Sequence, residues 1–320
     1  MEIFNHNSNI PFLGMRRYSL AIALALMIAS VGLIMVKGLN YGLDFTGGVS
    51  MTVDYDQSVQ IADVRDALTK GGLPDAVVQS LGGTREVSIR FQVKDDPQAL
   101  QADGKVNLDR VSADVMKKLQ AVRADAKLKG RDFVSAEVGV ELKSDGTLAA
   151  LFVMLGIMAY LWIRFERRFA IAAVVTEMHD VLVTLGIIAL VQREFDMTVL
   201  ASVLAVIGYS INDKVVVFDR IRELFRLARK AEPEEILNRS INNTLSRTII
   251  TSLFTSITMG ALYFFGGPVV SGFAVTMLIG ILVGTLSSIF VASPILLWLG
   301  VSKKDLMPVT RDNPELARRP

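Results

Sequence analysis

Apolar runs of membrane length alternate with short charged connections along most of the chain, and one long mixed segment interrupts them. The first run, Tyr18 to Val36, follows "MRR" at Met15 to Arg17; about 19 apolar residues exceed a signal-peptide core and suit an uncleaved signal anchor. Five more runs complete six predicted spans, at 18–37, 147–163, 169–191, 197–218, 245–265 and 272–299. Six spans put both ends of the chain on one side. Arg16 and Arg17, the group Arg164, Arg167 and Arg168, the connection from Arg220 to Arg239, and Lys303 with Lys304 fall in alternate connections. The positive-inside rule therefore predicts that 1–17, 219–244 and 300–320 are cytoplasmic. The other connections are the short "QREFD" and "FGGPVVSG" and the segment 38–146, which is expected outside.

Within 38–146 the period changes. "VSMTVDY" alternates as a strand, "SVQIADVRDALTKGG" has the spacing of a helix with a Gly stop, and "AVVQSLG" and "REVSIRFQV" form two strands across "GGT". A helix near Leu108 to Leu128 and a strand near Phe133 to Val140 complete βαββαβ, the ferredoxin-like order. Asp95 to Lys105, with Pro97 and Gly104, has the composition of exposed irregular chain.

Composition agrees with a multi-span chain. Of 320 residues 51% are hydrophobic, and the mean hydropathy is +0.43; that is too apolar for an ordinary soluble domain. A net charge of +2 gives no reason to expect a nucleic-acid partner. There is no cysteine, so an exported domain must fold without disulfides, and the two histidines argue against a metal cage.

Four motifs then converge on one family. They are "NYGLDFTGGVSM" at Asn40 to Met51, "VIGYSINDKVVVFDR" at Val206 to Arg220, "LSRTIITS" at Leu245 to Ser252 and "FGGPVVSGFAVTMLIG" at Phe265 to Gly280. Together, in this order and with six spans, they resemble the SecD/SecF family of bacterial protein-export membrane proteins, within the RND superfamily. The resemblance implies a membrane all-α six-helix transporter half (RND-like) with one extracytoplasmic α+β ferredoxin-like domain. It also implies SecD as partner, the SecYEG channel nearby, YajC and YidC as further associates, an exported preprotein as substrate and membrane lipid as surroundings. In that family the proton gradient drives the late stage of export, and no cofactor is used. In the first motif Asp44, Gly47 and Gly48 suit a tight turn from the first span into the outer domain.

Polar residues inside the spans are the candidate machinery, because a charge in hydrocarbon costs at least about 2.5 kcal/mol. Asp213 lies about 24 Å along the fourth span, in its cytoplasmic third. Tyr209, Asn212, Asp213 and Val216 fall on one face at i, i+3, i+4 and i+7, while Lys214 points about 100 degrees away and is expected to snorkel toward water. Arg247 enters the fifth span at similar depth, in a stripe with Asn243, Thr251 and Thr255, and is expected to be the counter-ion of Asp213. The resemblance carries the proton-relay role onto Asp213 and Arg247, with Asn212 beside them. Glu177, His179 and Asp180 in the third span would extend the polar path. In the sixth span Thr276, Gly280 and Gly284 repeat every four residues, as close helix packing requires. A carboxylate with hydroxyl neighbours suits Na⁺ as well as H⁺, which leaves the coupling ion open.

Two other readings are a half-transporter exporting a small molecule or lipid, and a membrane enzyme. The enzyme lacks its motifs: no P-loop, H-E-x-x-H or G-x-S-x-G is present.

Overall fold

The apolar runs fold into helices longer than their hydropathy peaks. The computed structural model describes residues 10–80, 84–92, 107–227 and 231–302. Six helices are long and apolar enough to cross a membrane. They are α1 (Arg16–Lys37), entered through a 3₁₀ turn at Phe12–Met15, then α5 (Ala136–Arg164), α6 (Arg167–Val191), α7 (Met197–Leu227), α8 (Pro233–Phe265) and α9 (Pro268–Ser287). The sixth span continues through a π-turn at Ser288–Ala292 into α10 (Ser293–Trp298). The expected irregular chain at Asp95 to Lys105 and the basic pair Lys303 and Lys304 lie outside the described residues.

Two expected boundaries move. The helix that carries the second span begins at Ala136, ahead of the predicted span at 147, because "AEVGVELKSDG" is too polar for a hydropathy window yet is capped as a helix: Ser135 Oγ accepts from Val138 N at 3.2 Å. The expected connection 219–244 is mostly helix, as α7 runs on to Leu227 and α8 starts at Pro233. Pro233 at the first turn, followed by Glu234 and Glu235, is a favourable helix start. These extensions bury Leu224, Phe225, Ile236, Leu237 and Ile241 in one cluster with Phe12, Leu13 and Phe169.

Burial separates inner from outer spans. About half of the most apolar stretch of α6 and 44% of that of α7 is buried, against 11% for α1, α5 and α8. So α6 and α7 form the centre, with α9 against both, and the other helices turn apolar surface outward.

The segment between the first two spans is one four-stranded antiparallel sheet carrying two helices. Its elements are β2 (Gly48–Tyr55), α3 (Ile61–Lys70), β3 (Val77–Ser80), β4 (Glu86–Phe91), α4 (Leu108–Val122) and β5 (Ala126–Val134), in sheet order β3-β4-β2-β5. Val49, Met51, Val53 and Tyr55 alternate inward on β2 against Val64 and Leu68 of α3 and Val115 and Leu119 of α4. The last helix and strand both end earlier than the pattern suggests. An edge strand explains this: β5 exposes Lys127, Lys129 and Arg131, paired to Asp56, Glu86 and Asp109, so its apolar alternation is weak.

Burial pushes the Tyr55 phenol from 10.0 up to about 12, with the Asp125 carboxylate adding to the shift and the Arg123 guanidinium opposing it. A raised folded-state value contributes stability fully present below pH 10 and lost as pH rises toward 12. Residues 47–135 alone are expected to fold, and to hold a constant denaturant midpoint up to about pH 10 and then weaken. Tyr55→Phe should remove that alkaline fall; the same fall in the variant would contradict the assignment.

The domain is tied to the bundle by a link the sequence hid. Asn40 and Tyr41 form β1 (Asn40–Tyr41), parallel to β6 (Glu194–Phe195) inside the short "QREFD" connection. Between β1 and β2 lies the one-turn helix α2 (Leu43–Thr46), where Asp44 Oδ2 accepts from Met197 N at 2.9 Å, capping α7. Gly48 sits at φ +133°, and a Cβ there would come within 2.6 Å of the Phe91 carbonyl oxygen. The "TGG" turn therefore holds the first strand against β4, while Asp44 holds the start of the fourth span.

Candidate functional site

Asp213 lies in the middle of α7 and is 4% exposed. Its Oδ2 has no hydrogen-bond partner. The expected face does not hold together: Asn212 turns to the exposed side of the bundle, whereas Asp213 turns in. Arg247 is also exposed, on α8, and no hydrogen bond or ion pair among the described residues joins it to Asp213. The two threonines of the polar stripe on α8 are satisfied by its own backbone. Thr251 Oγ1 donates to the Arg247 carbonyl at 2.9 Å and Thr255 Oγ1 to that of Thr251 at 2.8 Å.

Lys214 overturns its expected position. It is fully buried, and its three N–H donors reach Glu177 Oε2, Asp180 Oδ2 and Ser210 Oγ, each at 2.7 Å. Helix geometry explains the set: Ser210 and Lys214 are i and i+4 on α7, and Glu177 and Asp180 are i and i+3 on α6, so two facing stripes meet. The inward direction is favoured because a buried ammonium costs several kcal/mol unless every donor is met by a good acceptor.

Asp180 is the hub. Its Oδ2 also accepts from Ser210 Oγ and from Ser287 Oγ, both at 2.6 Å. Its Oδ1 lies 2.9 Å from His179 Nδ1, where a protonated Nδ1 donates. Ser287 comes from the sixth span immediately before the π-turn, a distortion often found at functional positions. Glu177 Oε1 and His179 Nε2 are buried without partners. Thr176 and Thr184 share the Asp180 stripe; the first donates to the Ala172 carbonyl at 2.7 Å, and Thr184 Oγ1 is unpartnered. The cluster thus sets two carboxylates against one fixed cation. Among the described residues no three His, Asp or Glu side chains group as metal ligands.

The small-residue stripe is what brings α9 close enough. A Cβ on Gly280 would overlap Val206, and one on Gly284 would lie 2.7 Å from Ser210 Oγ, while Thr276 is fully buried. The stripe therefore packs α9 on α7 within the chain, and so delivers Ser287 to Asp180. Gly186 plays the same part for α6 against Ser30 of α1, a contact without a sequence repeat to announce it. Gly280→Val is expected to cost about 1–3 kcal/mol, since the β-branched Val206 is buried and cannot yield. Thermal unfolding in detergent reads this directly; an unchanged midpoint would mean that the helices are not so close.

Sequence reasoning reached Asp213, Glu177, His179 and Asp180 but missed Ser210, Lys214 and Ser287 as one network. The i, i+4 spacing of Ser210 and Lys214 was the available signal.

Comparison with known proteins places this arrangement. A family model described as protein export membrane protein SecD/SecF, C-terminal, matches residues 114–302, and the SecD/SecF GG motif matches 32–59. The protein translocase subunit SecF of Pseudomonas aeruginosa is 40% identical over 299 residues, 93% of this chain and 94% of that one. Its counterpart in Escherichia coli O157:H7 is 38% identical, over 96% and 93% of the two chains. The crystal structure of SecDF from Thermus thermophilus, a translocon-associated membrane protein, superposes with a TM-score of 0.80 at 34% identity over 93% of this chain. The chain spans only 40% of the length of that solved protein. With the GG turn, the six spans and the ordered motifs all matched, the chain belongs to the SecD/SecF family of protein-export membrane proteins.

Proposed function

We propose that the chain is a non-enzymatic subunit of the Sec export machinery, which joins a SecD-type partner and uses the proton gradient to promote preprotein movement through the SecYEG channel. Its relatives are named translocase subunits, and the solved SecDF is more than twice as long, which leaves room in that protein for a second half. The observation that carries ion coupling is the Asp213 carboxylate, buried in a span with one oxygen free of any hydrogen bond. A group so placed can take up a proton, or meet a cationic side chain, when the packing around it changes.

Arg247 and Asn212 support the partner. A guanidinium turned to lipid is costly, so the exposed surface at Arg247 is suited to a second protein, and Asn212 is exposed as well. The basic connections favour cytoplasmic ends and a periplasmic sheet domain in the inner membrane. YajC and YidC belong to the same proposed assembly only through the family resemblance.

Affinity purification of the tagged full chain in mild detergent tests this. A SecD-type subunit and channel components are expected to co-purify. A lone homo-oligomer would favour the half-transporter for a small molecule or lipid instead.

A further inference from the structure

We infer that Lys214 is a tethered cation occupying a monovalent-cation cage made by Glu177, Asp180 and Ser210, and that it closes this site to Na⁺. Its consequence for coupling rests on the proposed function; the cage itself does not.

The ligand set is the first ground. Two carboxylates and one hydroxyl, contributed by α6 and α7, meet at one buried point, and Ser287 of α9 braces Asp180 from behind by donating to its Oδ2. Such hard oxygens are what a dehydrated alkali cation takes from a membrane protein. Here the cation is an ammonium on a side chain, with all three donors used at 2.7 Å. Charge is the second ground. Two carboxylates face one fixed cation, and among the described residues the only other titratable group touching them is His179, at Asp180 Oδ1. Removing the ammonium would leave two negative groups in a buried pocket, a strong demand for a replacement cation. Geometry is the third ground. Glu177 Oε1 is buried and unpartnered, so the cage already has an acceptor in reserve.

Asp213 does not offer a comparable site. Among the described residues no side-chain hydrogen bond reaches it, and its Oδ2 has no partner. Where oxygen ligands do converge in the described bundle, at Asp180, a lysine is already seated, and proton coupling then follows more naturally than sodium coupling.

The test uses the purified full chain in detergent and reads thermal unfolding in NaCl against choline chloride at equal ionic strength. Wild type is expected to unfold at the same temperature in both. Lys214→Ala should unfold at a lower temperature in choline and gain a rise with Na⁺ that levels off at high concentration; adding Asp180→Asn should abolish that rise. A Na⁺-dependent rise in wild type, no rise in Lys214→Ala, or a rise that survives Asp180→Asn would each overturn the inference. If Lys214→Ala cannot be purified folded in choline, recovery in NaCl or methylammonium chloride would support the cage, and failure in both would overturn it. Export plays no part in this readout, so loss of gradient coupling and loss of the cage are separately detectable.

Discussion

Asp213→Asn is expected to abolish the part of translocation that depends on the ion gradient, while the subunit stays inserted and bound to its partner. The amide matches the carboxylate in shape but cannot change charge, so it removes a proton site and leaves packing intact. The structure sharpens the expectation. Asp213 has no ion pair to Arg247 and no hydrogen bond at Oδ2, so a neutral amide there breaks no contact that holds helices together. If Asp213 served only packing, the variant would behave like wild type in both assembly and export. Measuring co-purified partner and gradient-stimulated translocation in the same membranes separates these outcomes.

Lys214→Met is expected to give the largest loss of stability of any single change in the bundle, about 3–5 kcal/mol, because it strips the counter-charge from Glu177 and Asp180 at a fully buried point. Methionine fills the volume, which denies a replacement ion the room that alanine leaves. The cost lies in the orphaned acids, so adding Glu177→Gln and Asp180→Asn should recover much of it, a non-additivity that contacting groups show and distant ones do not. Unfolding of wild type, Lys214→Met, the Glu177→Gln/Asp180→Asn variant and the triple variant under one set of conditions measures this. A loss below about 1 kcal/mol for Lys214→Met would mean that the buried network carries little net stabilisation.

The spans were legible because hydropathy follows apolar helix length, and each falls on a helix of the structure, the sixth overrunning its end at Trp298 by one residue. Their ends were less legible. Ser135 capping a polar helix start and Pro233 opening α8 are local signals that apolar windows overlook. In the sheet domain the βαββαβ order was readable from β2, whose alternation is strong, and was misplaced at β5, an edge strand with charges on both faces. For the site, the cost of a charge in hydrocarbon pointed to Asp213, Glu177 and Asp180. The angle between Asp213 and Lys214 was also legible, but not which of the two faces α6. That choice is made by the packing of α9 through Gly280 and Gly284 and by the matching stripe of Glu177 and Asp180, neither of which the local pattern of α7 contains.

Proton coupling through this chain is tested most directly by preprotein translocation into inverted membrane vesicles, with the proton and sodium gradients dissipated separately. The gradient-stimulated part of translocation should vanish when the proton gradient collapses and persist when only the sodium gradient does, and Asp213→Asn membranes should be indifferent to both. Stimulation that survives loss of the proton gradient, or disappears with the sodium gradient alone, would contradict it.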